Sequence, residues 1–394
     1  MKKHSTFAAV FALFTAAFAP SLFAQLSIPS DGSDGALNVT SNIVIDLSKS
    51  AMGTWTTTSS GNGIYDPVQW AVVFKYSSVN ITNGATVTFA NHYGNPPVVW
   101  LVQSNVTING TLNLNGNPGT AVVPFDALAA IPGPGGFRGG TYDSTIGQGD
   151  GFGPGGGADG GGQNNNGKYQ SAYGNPQILP LIGGSGASWT ASCQNGSGPS
   201  GAGAILIAAS GTVTVNGQVS AAGGYAATNE CNGNYGAGGG IRIVGTQILG
   251  SGSINAGPDG RIRAEANSIS PQLTITPNID LVAPASPPVI FPPTGSPSVN
   301  IVSVAGLAAP TDPQANVTSS PDIGLQTNGP VKVVLQTQNF PPSGTVALRV
   351  VPTYSASWIT NATFVSGNNT SATWQLTAQI PLGFCVLQAH ATSQ

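Results

Sequence analysis

Beyond residue 24 the chain keeps two histidines, His92 and His390, far apart in the sequence and in different proposed domains. A Ser-His-Asp hydrolase needs a histidine beside its nucleophile, and a zinc site needs clustered His or Cys ligands. Neither pattern is present in the sequence. His92 stands before Tyr93-Gly94 at the end of a strand pattern, so a surface or capping role is expected. A glycosidase needs two carboxyl groups facing one cleft. The segments 98–116, 203–224 and 240–257 contain no Asp or Glu at all. The acids nearby are Asp126, Asp143, Asp150, Asp159, Glu230, Asp259 and Glu265. A polysaccharide lyase could draw on Arg242, Arg261 and Arg263 beside Glu265. Arg242 alternates with Ile241 and Ile243, however, and alternation predicts that it points to solvent. Arg261 and Arg263 flank Ile262 in the same way. The expectation is a chain with no catalytic residues, no metal site and no cofactor. Trp55, Tyr65 and Trp70 remain as large aromatics. They are either the core of a cap or a stacking platform for a sugar ring.

These residues are positioned by a repeat. PVVWLVQSNVTINGTLNLNGNPG (97–119) aligns with AILIAASGTVTVNGQVSAAGGYA (204–226) at an offset of 107. Val98 then meets Ile205, Trp100 meets Ile207, Val106 meets Val213, Ile108 meets Val215 and Leu112 meets Val219. A third copy, at 240–260, places Ile241 and Ile243 on Ile205 and Ile207, and Ile248 and Ile254 on Val213 and Val219. A looser fourth copy, at 72–92, matches Val79, Ile81, Val87 and Phe89 to Val106, Ile108, Leu112 and Leu114. Each copy reads strand, corner, strand, corner, strand, and Asn and Gly suit the corners. Units of this size cannot bury an apolar face alone, so they must stack.

Gly203-Ala204-Ile205-Leu206-Ile207, Val215-Asn216-Gly217 and Gly238-Gly239-Gly240-Ile241-Arg242-Ile243 resemble secreted glycine-rich parallel β-helix proteins of environmental bacteria, of broadly pectin-lyase-like architecture. The resemblance covers about residues 72–265 and stacks successive coils as parallel strands. It implies an all-β fold: a right-handed parallel β-helix with a long Gly-rich insertion. Such proteins range from polysaccharide lyases and hydrolases to adhesin stalks, so the architecture specifies no activity.

The insertion, 117–202, includes GDGFGPGGGADGGGQNNNG (149–167), with ten glycines in nineteen residues. A calcium repeat of the Gly-Gly-x-Gly-x-Asp kind is not matched before Asp159, because Pro154 occupies a required glycine place. Close backbone packing over the helix is expected, pinned by Phe137, Tyr142, Phe152, Tyr169 and Tyr173. Asp31-Gly32-Ser33-Asp34-Gly35 departs from the calcium-loop spacing and reads as a turn.

The ends complete the organisation. Residues 1–24 carry Lys2-Lys3 and an apolar run from Phe7 to Phe18, a secretory leader cut near Ala24. Residues 25–71 read as an N-terminal cap and 72–276 as the parallel β-helix. Residues 277–298 hold seven prolines and read as a linker. Residues 299–394 alternate like an immunoglobulin-like β-sandwich that folds independently. Eleven Lys and Arg oppose fourteen Asp and Glu; without Lys2 and Lys3 the count is nine against fourteen, a net charge of −5. No basic stripe exists for nucleic acid, and no later segment is apolar enough to span a bilayer.

Secretion permits disulfides. Cys193 lies eleven residues before Ala204, and Cys231 lies nine before Gly240, at equivalent repeat positions. A Cys193–Cys231 bridge is therefore expected, with Cys385 left as a buried thiol. Together these features describe a secreted or cell-surface, adhesin-like scaffold whose partner is an extracellular polysaccharide or matrix. A polysaccharide lyase or glycoside hydrolase is the alternative. A Thr-row surface binder, such as an ice-binding protein, is a weaker one, hinted at by Thr86-Val87-Thr88 and Thr212-Val213-Thr214 but broken in the coil at 240–257.

Overall fold

The computed structural model describes residues 25–120, 130–143, 145–157, 173–189, 196–225, 235–279, 281–315 and 320–393. The leader, Cys193, Cys231 and Tyr169 lie outside these residues. The chain is all β, with one 3₁₀ turn at Leu47–Lys49 among the described residues.

Residues 36–282 build three sheets that share one core. The first holds Ala36–Val39, Ser78–Ile81, Val106–Ile108, Val213–Val215 and Ile248–Leu249, in that order. The second holds Ile43–Asp46, Thr86–Ala90, Thr111–Asn113, Gln218–Ser220, Ser253–Asn255 and Thr274–Thr276. The third runs from Leu281–Val282 through Arg261–Glu265, Gly240–Val244, Ala204–Ala209, Val98–Val102 and Ala71–Tyr76 to Ile64–Asp66 and Ala51–Met52. Pairing is parallel throughout, except between Ile64–Asp66 and Ala71–Tyr76.

The register matches the repeat alignment residue for residue. Ile205 pairs with Val98 and Ile241, Val213 with Val106 and Ile248, and Val219 with Leu112 and Ile254. Each repeat thus gives one strand to each sheet, and the inward residues of all three meet in one buried cluster. Two further layers extend the pattern. Ala36–Asp46 pairs with the 78–90 copy, so residues 25–71 are more than a cap. Arg261–Glu265 and Thr274–Thr276 pair with the 240–255 copy, so Glu265 belongs to a layer of the stack.

The third sheet is buried on both faces. Val73, Val99, Leu101, Leu206 and Val244 face outward yet are covered by Leu26, Ile28, Leu181, Ile290 and Phe291. This explains why VVWLV and AILIAA are continuously apolar while VTI and VTV alternate. The segment 277–298, read as a linker, also takes part in this packing. Leu281–Val282 adds a strand, and Ile290 and Phe291 help to seal the outer layer.

The described parts of the glycine-rich insertion pack backbone to backbone. Phe137 N donates to Gly184 O (2.9 Å), Gly184 N to Ala202 O (2.8 Å), and Gly201 N back to Phe137 O (2.9 Å). Three segments thus exchange hydrogen bonds around a triangle instead of lying side by side. Gly133, Gly136 and Gly139 recur every third residue and turn onto 198–203. A Cβ on Gly139 would lie 1.9 Å from Gly198 O, and one on Gly201 1.8 Å from Gly184 O. These segments form few hydrogen bonds within themselves, so their amides bond to neighbouring segments.

Residues 298–392 form two antiparallel sheets, one of five strands and one of three, around a separate core that includes Val333, Leu348 and Trp374. They do not stand apart from the rest. Asp150, Thr141 and Gly153 of the insertion bond to Ser357, Thr353 and Arg349. Phe152 packs with Val351 and Val386. The insertion therefore bridges the two parts.

Candidate functional site

A cleft of about 960 Å³ lies where the parallel sheets, the insertion and the C-terminal sheets meet. Its floor is the connection Asn91–Pro97 between the second and third sheets. Asn95 adopts φ +45°, which an Asn tolerates best among side-chain-bearing residues. Its amide donates to Gly136 O (2.6 Å), and its carbonyl accepts from Gly135 N (2.9 Å). Asn91 Nδ2 donates to Pro132 O (2.8 Å). The floor is therefore fastened to the insertion at both ends.

Trp70 forms one wall. Asp66, itself buried, accepts from the amides of Val68 (2.9 Å) and Gln69 (3.2 Å) and so shapes the turn that presents it. Trp70 has φ +46°, a costly conformation for a bulky residue. Its indole N–H donates to Gly94 O (3.0 Å), and its ring lies 6.3 Å from that of Phe137. The ring is half-buried, with an open side on the cleft.

Tyr65 lies behind the floor, against His92, which is part of it. Tyr65 is fully buried, and its hydroxyl donates to Asp312 Oδ1 (2.6 Å). Burial first, and then Asp312, push the Tyr65 phenol well above its ordinary pKa. The His92 ring stacks on Tyr65 at 4.1 Å, and its Nδ1 accepts from Gly94 N (3.3 Å). Burial lowers the His92 pKa, and Asp312 partly opposes that shift. Asp312 and Gln314 lie between the strands Leu307–Ala308 and Pro330–Gln338 of the five-stranded C-terminal sheet, and Gln314 Nε2 donates to Asp312 O (3.2 Å). Arg138 also lines the cleft, with its pKa lowered by burial.

The three aromatics expected to act together are separated. Trp70 lines the cleft. Tyr65 supports it from behind and has no free face. Trp55 lies elsewhere, its ring 5.3 Å from Phe291 on the outer layer of the third sheet. Sequence reasoning missed Asp312, which no spacing links to Tyr65; His92, expected in a surface or capping role, is half-buried on the cleft, caps Gly94 N and packs against Tyr65.

The arginines near Glu265 are brought together, but not as a site. Arg242 is 2% exposed, which overturns its expected solvent orientation. Its Nε donates to Glu265 Oε1 (2.8 Å), and Arg263 Nε donates to the same oxygen (2.7 Å). Arg261 lies 4.7 Å over the Tyr173 ring and donates to Tyr173 O (2.9 Å) and Ile182 O (2.8 Å). The cluster clamps residues 173–182 onto the third sheet. Burial lowers the Arg242 pKa, with Glu265 opposing.

Asp31–Gly35 is a turn, as expected. Ser33 N donates to Asp31 Oδ1 (3.0 Å), and Gly32 and Gly35 have φ +69° and +72°. Its acids fasten a buried lysine: Lys75 Nζ reaches Asp31 (3.3 Å), and Lys75 N donates to Asp34 Oδ2 (2.6 Å). Cys385 is half-buried, and burial raises its thiol pKa.

Among the described residues, no group of three or more His, Cys, Asp or Glu is placed to hold a metal, and no helix is long and apolar enough to cross a membrane. Asp312 is the one carboxylate lining the cleft among these residues. Chemically, the cleft offers an aromatic face, a row of amides and backbone carbonyls. Groups of these kinds can stack on and hydrogen-bond a polyhydroxylated ligand. No protein-family model matches the chain, and neither a curated protein nor a solved structure does.

Proposed function

We propose that this protein is a secreted or cell-surface, non-catalytic scaffold that binds an extracellular polysaccharide in the cleft beside Trp70. Its body is a right-handed parallel β-helix of pectin-lyase-like architecture, followed by an immunoglobulin-like sandwich. The leader at 1–24 directs its export. The observation that carries the reading is Trp70: a bulky residue at positive φ, tied through its indole to Gly94 O and open to an amide-rich cleft. Backbone strain of that kind persists where the surroundings over-determine it, often at ligand clamps.

The lyase or hydrolase alternative has less support. Asp312 is engaged by the Tyr65 hydroxyl, and the Arg242–Glu265 pair is buried beneath residues 173–182. A glycan array, run with lyase and reducing-sugar assays on the same protein, tests the reading. Binding without product release is the expected outcome; product release from a bound polymer would overturn it.

A further inference from the structure

The first two parallel sheets differ sharply in charge from the third. Their eleven strands contain one ionisable side chain, Asp46, at the end of the first strand of the second sheet. The third sheet carries Asp66, Lys75, Arg242, Arg261, Arg263 and Glu265, and its outer face is covered. The exposed faces of the stack are thus nearly free of charge.

The outer face of the second sheet is also ordered. Val87, Leu112, Val219 and Ile254 point inward, so their neighbours point out. The register aligns those neighbours across five strands. Thr86, Thr111, Gln218, Ser253 and Thr274 form one rank. Asn113, Ser220, Asn255 and Thr276 form a second, headed by Thr88 because Leu112 pairs with Val87; within it Ser220 is buried and its hydroxyl donates to Asn115 Oδ1 (2.7 Å). Thr212-Val213-Thr214 belongs to the first sheet, so it is not part of either rank. Ser253 and Thr274 carry the first rank through the layer where the sequence pattern breaks. Strands about 4.8 Å apart give each rank a length of about 20 Å, and the two ranks lie about 7 Å apart.

This face runs into the cleft, because Thr88 and Asn113 lie on both. We propose that the outer face of the second sheet continues the cleft as a track for a long, uncharged, polyhydroxylated polymer laid across the strands. The proposal rests on the cleft reading and adds the ligand class. Arg138 lines the cleft, but the face of the second sheet beyond it carries no cation to pair with uronates, sulfates or phosphates, whereas hydroxyls and amides in register bond a repeating neutral chain at many weak points. Affinity then grows with chain length.

The test compares retention on microcrystalline cellulose and chitin with the binding of cellotriose and chitotriose by calorimetry. Variants are Thr111→Lys/Ser253→Lys, Thr274→Lys at the exposed end, and Thr107→Lys on the first sheet as control, each checked for folding by circular dichroism. The expected result is retention of the wild type on a neutral polymer and at least a tenfold loss in the second-sheet variants. Trisaccharide affinity and the Thr107→Lys variant are expected to be unchanged. Wild-type retention by both second-sheet variants would overturn the track and leave the cleft reading standing. Stronger retention on pectate or alginate than on the neutral polymers would overturn the ligand class. Inhibition of ice growth that the second-sheet substitutions abolish, without polymer retention, would name ice as the occupant and overturn the proposal. Failure to bind either the polymers or the trisaccharides would remove both readings together.

Discussion

Asp150 and Ser357, 207 residues apart, are joined by two hydrogen bonds: Asp150 Oδ2 accepts from the Ser357 amide (2.8 Å) and from its hydroxyl (2.6 Å). Arg349 completes the tie, donating to Ser357 Oγ (3.0 Å) and to Gly153 O (3.0 Å). Asp150 and Arg349 are 1% and 7% exposed, so these bonds form away from water. The C-terminal sheets and the insertion therefore hold one another, and one wall of the cleft is held with them.

Ser357→Ala removes the hydroxyl that both charged partners use. A loss of about 1–3 kcal/mol is expected, the cost of leaving buried polar partners unsatisfied. Denaturant unfolding of the full chain measures it; a loss below experimental error would contradict the tie.

Glu265→Ala leaves Arg242 buried without its partner. Breaking a buried pair from one side costs about 3–5 kcal/mol. The clamp on residues 173–182 weakens with it, while glycan binding at the cleft is expected to persist. A stable Glu265→Ala protein that has lost ligand binding would instead place function at the arginine cluster.

Gly201→Ala sets a methyl 1.8 Å from Gly184 O, inside a backbone contact that cannot yield. Overpacking of this kind is expected to cost about 3 kcal/mol or more. Gly324 has nothing within 4 Å of an added Cβ, so Gly324→Ala is expected to stay within about 0.5 kcal/mol of wild type. Equal thermal stability of the two variants would contradict the triangular packing of the insertion.

The repeat was legible because burial fixes a two-residue period. Ile205, Val213 and Val219 found their partners from sequence alone, and the register agrees. Arg242 was misread because alternation reports which face a residue takes, not whether that face is covered. The continuous apolar runs VVWLV and AILIAA carried the missing signal: a sheet buried on both sides. Within the cleft, Trp70 was recognisable as a large aromatic near a strand end. Its partners Gly94 and Phe137 were not, nor was the Tyr65–Asp312 bond behind it, since these groups meet only through folding. The three-residue glycine period was present in the sequence at 133, 136 and 139, yet only the crossing hydrogen bonds reveal which segments it faces.

His92 gives the fold a pH dependence with a definite sign. Its folded pKa is lowered by burial, so the unfolded chain takes up the proton first. Stability is complete above the unfolded value of about 6.5 and falls as pH drops below it. Melting temperatures between pH 8 and 5 are expected to decline less in His92→Gln than in the wild type. Identical slopes would show that His92 does not contribute.

The claim that the cleft binds a neutral glycan through Trp70 is tested most directly by calorimetry of the wild type, Trp70→Phe and Trp70→Ala with a trisaccharide that the wild type binds. The expected result is partial affinity in Trp70→Phe and a loss of at least tenfold in Trp70→Ala, with both variants folded by circular dichroism. Unchanged affinity in a folded Trp70→Ala protein would contradict the claim.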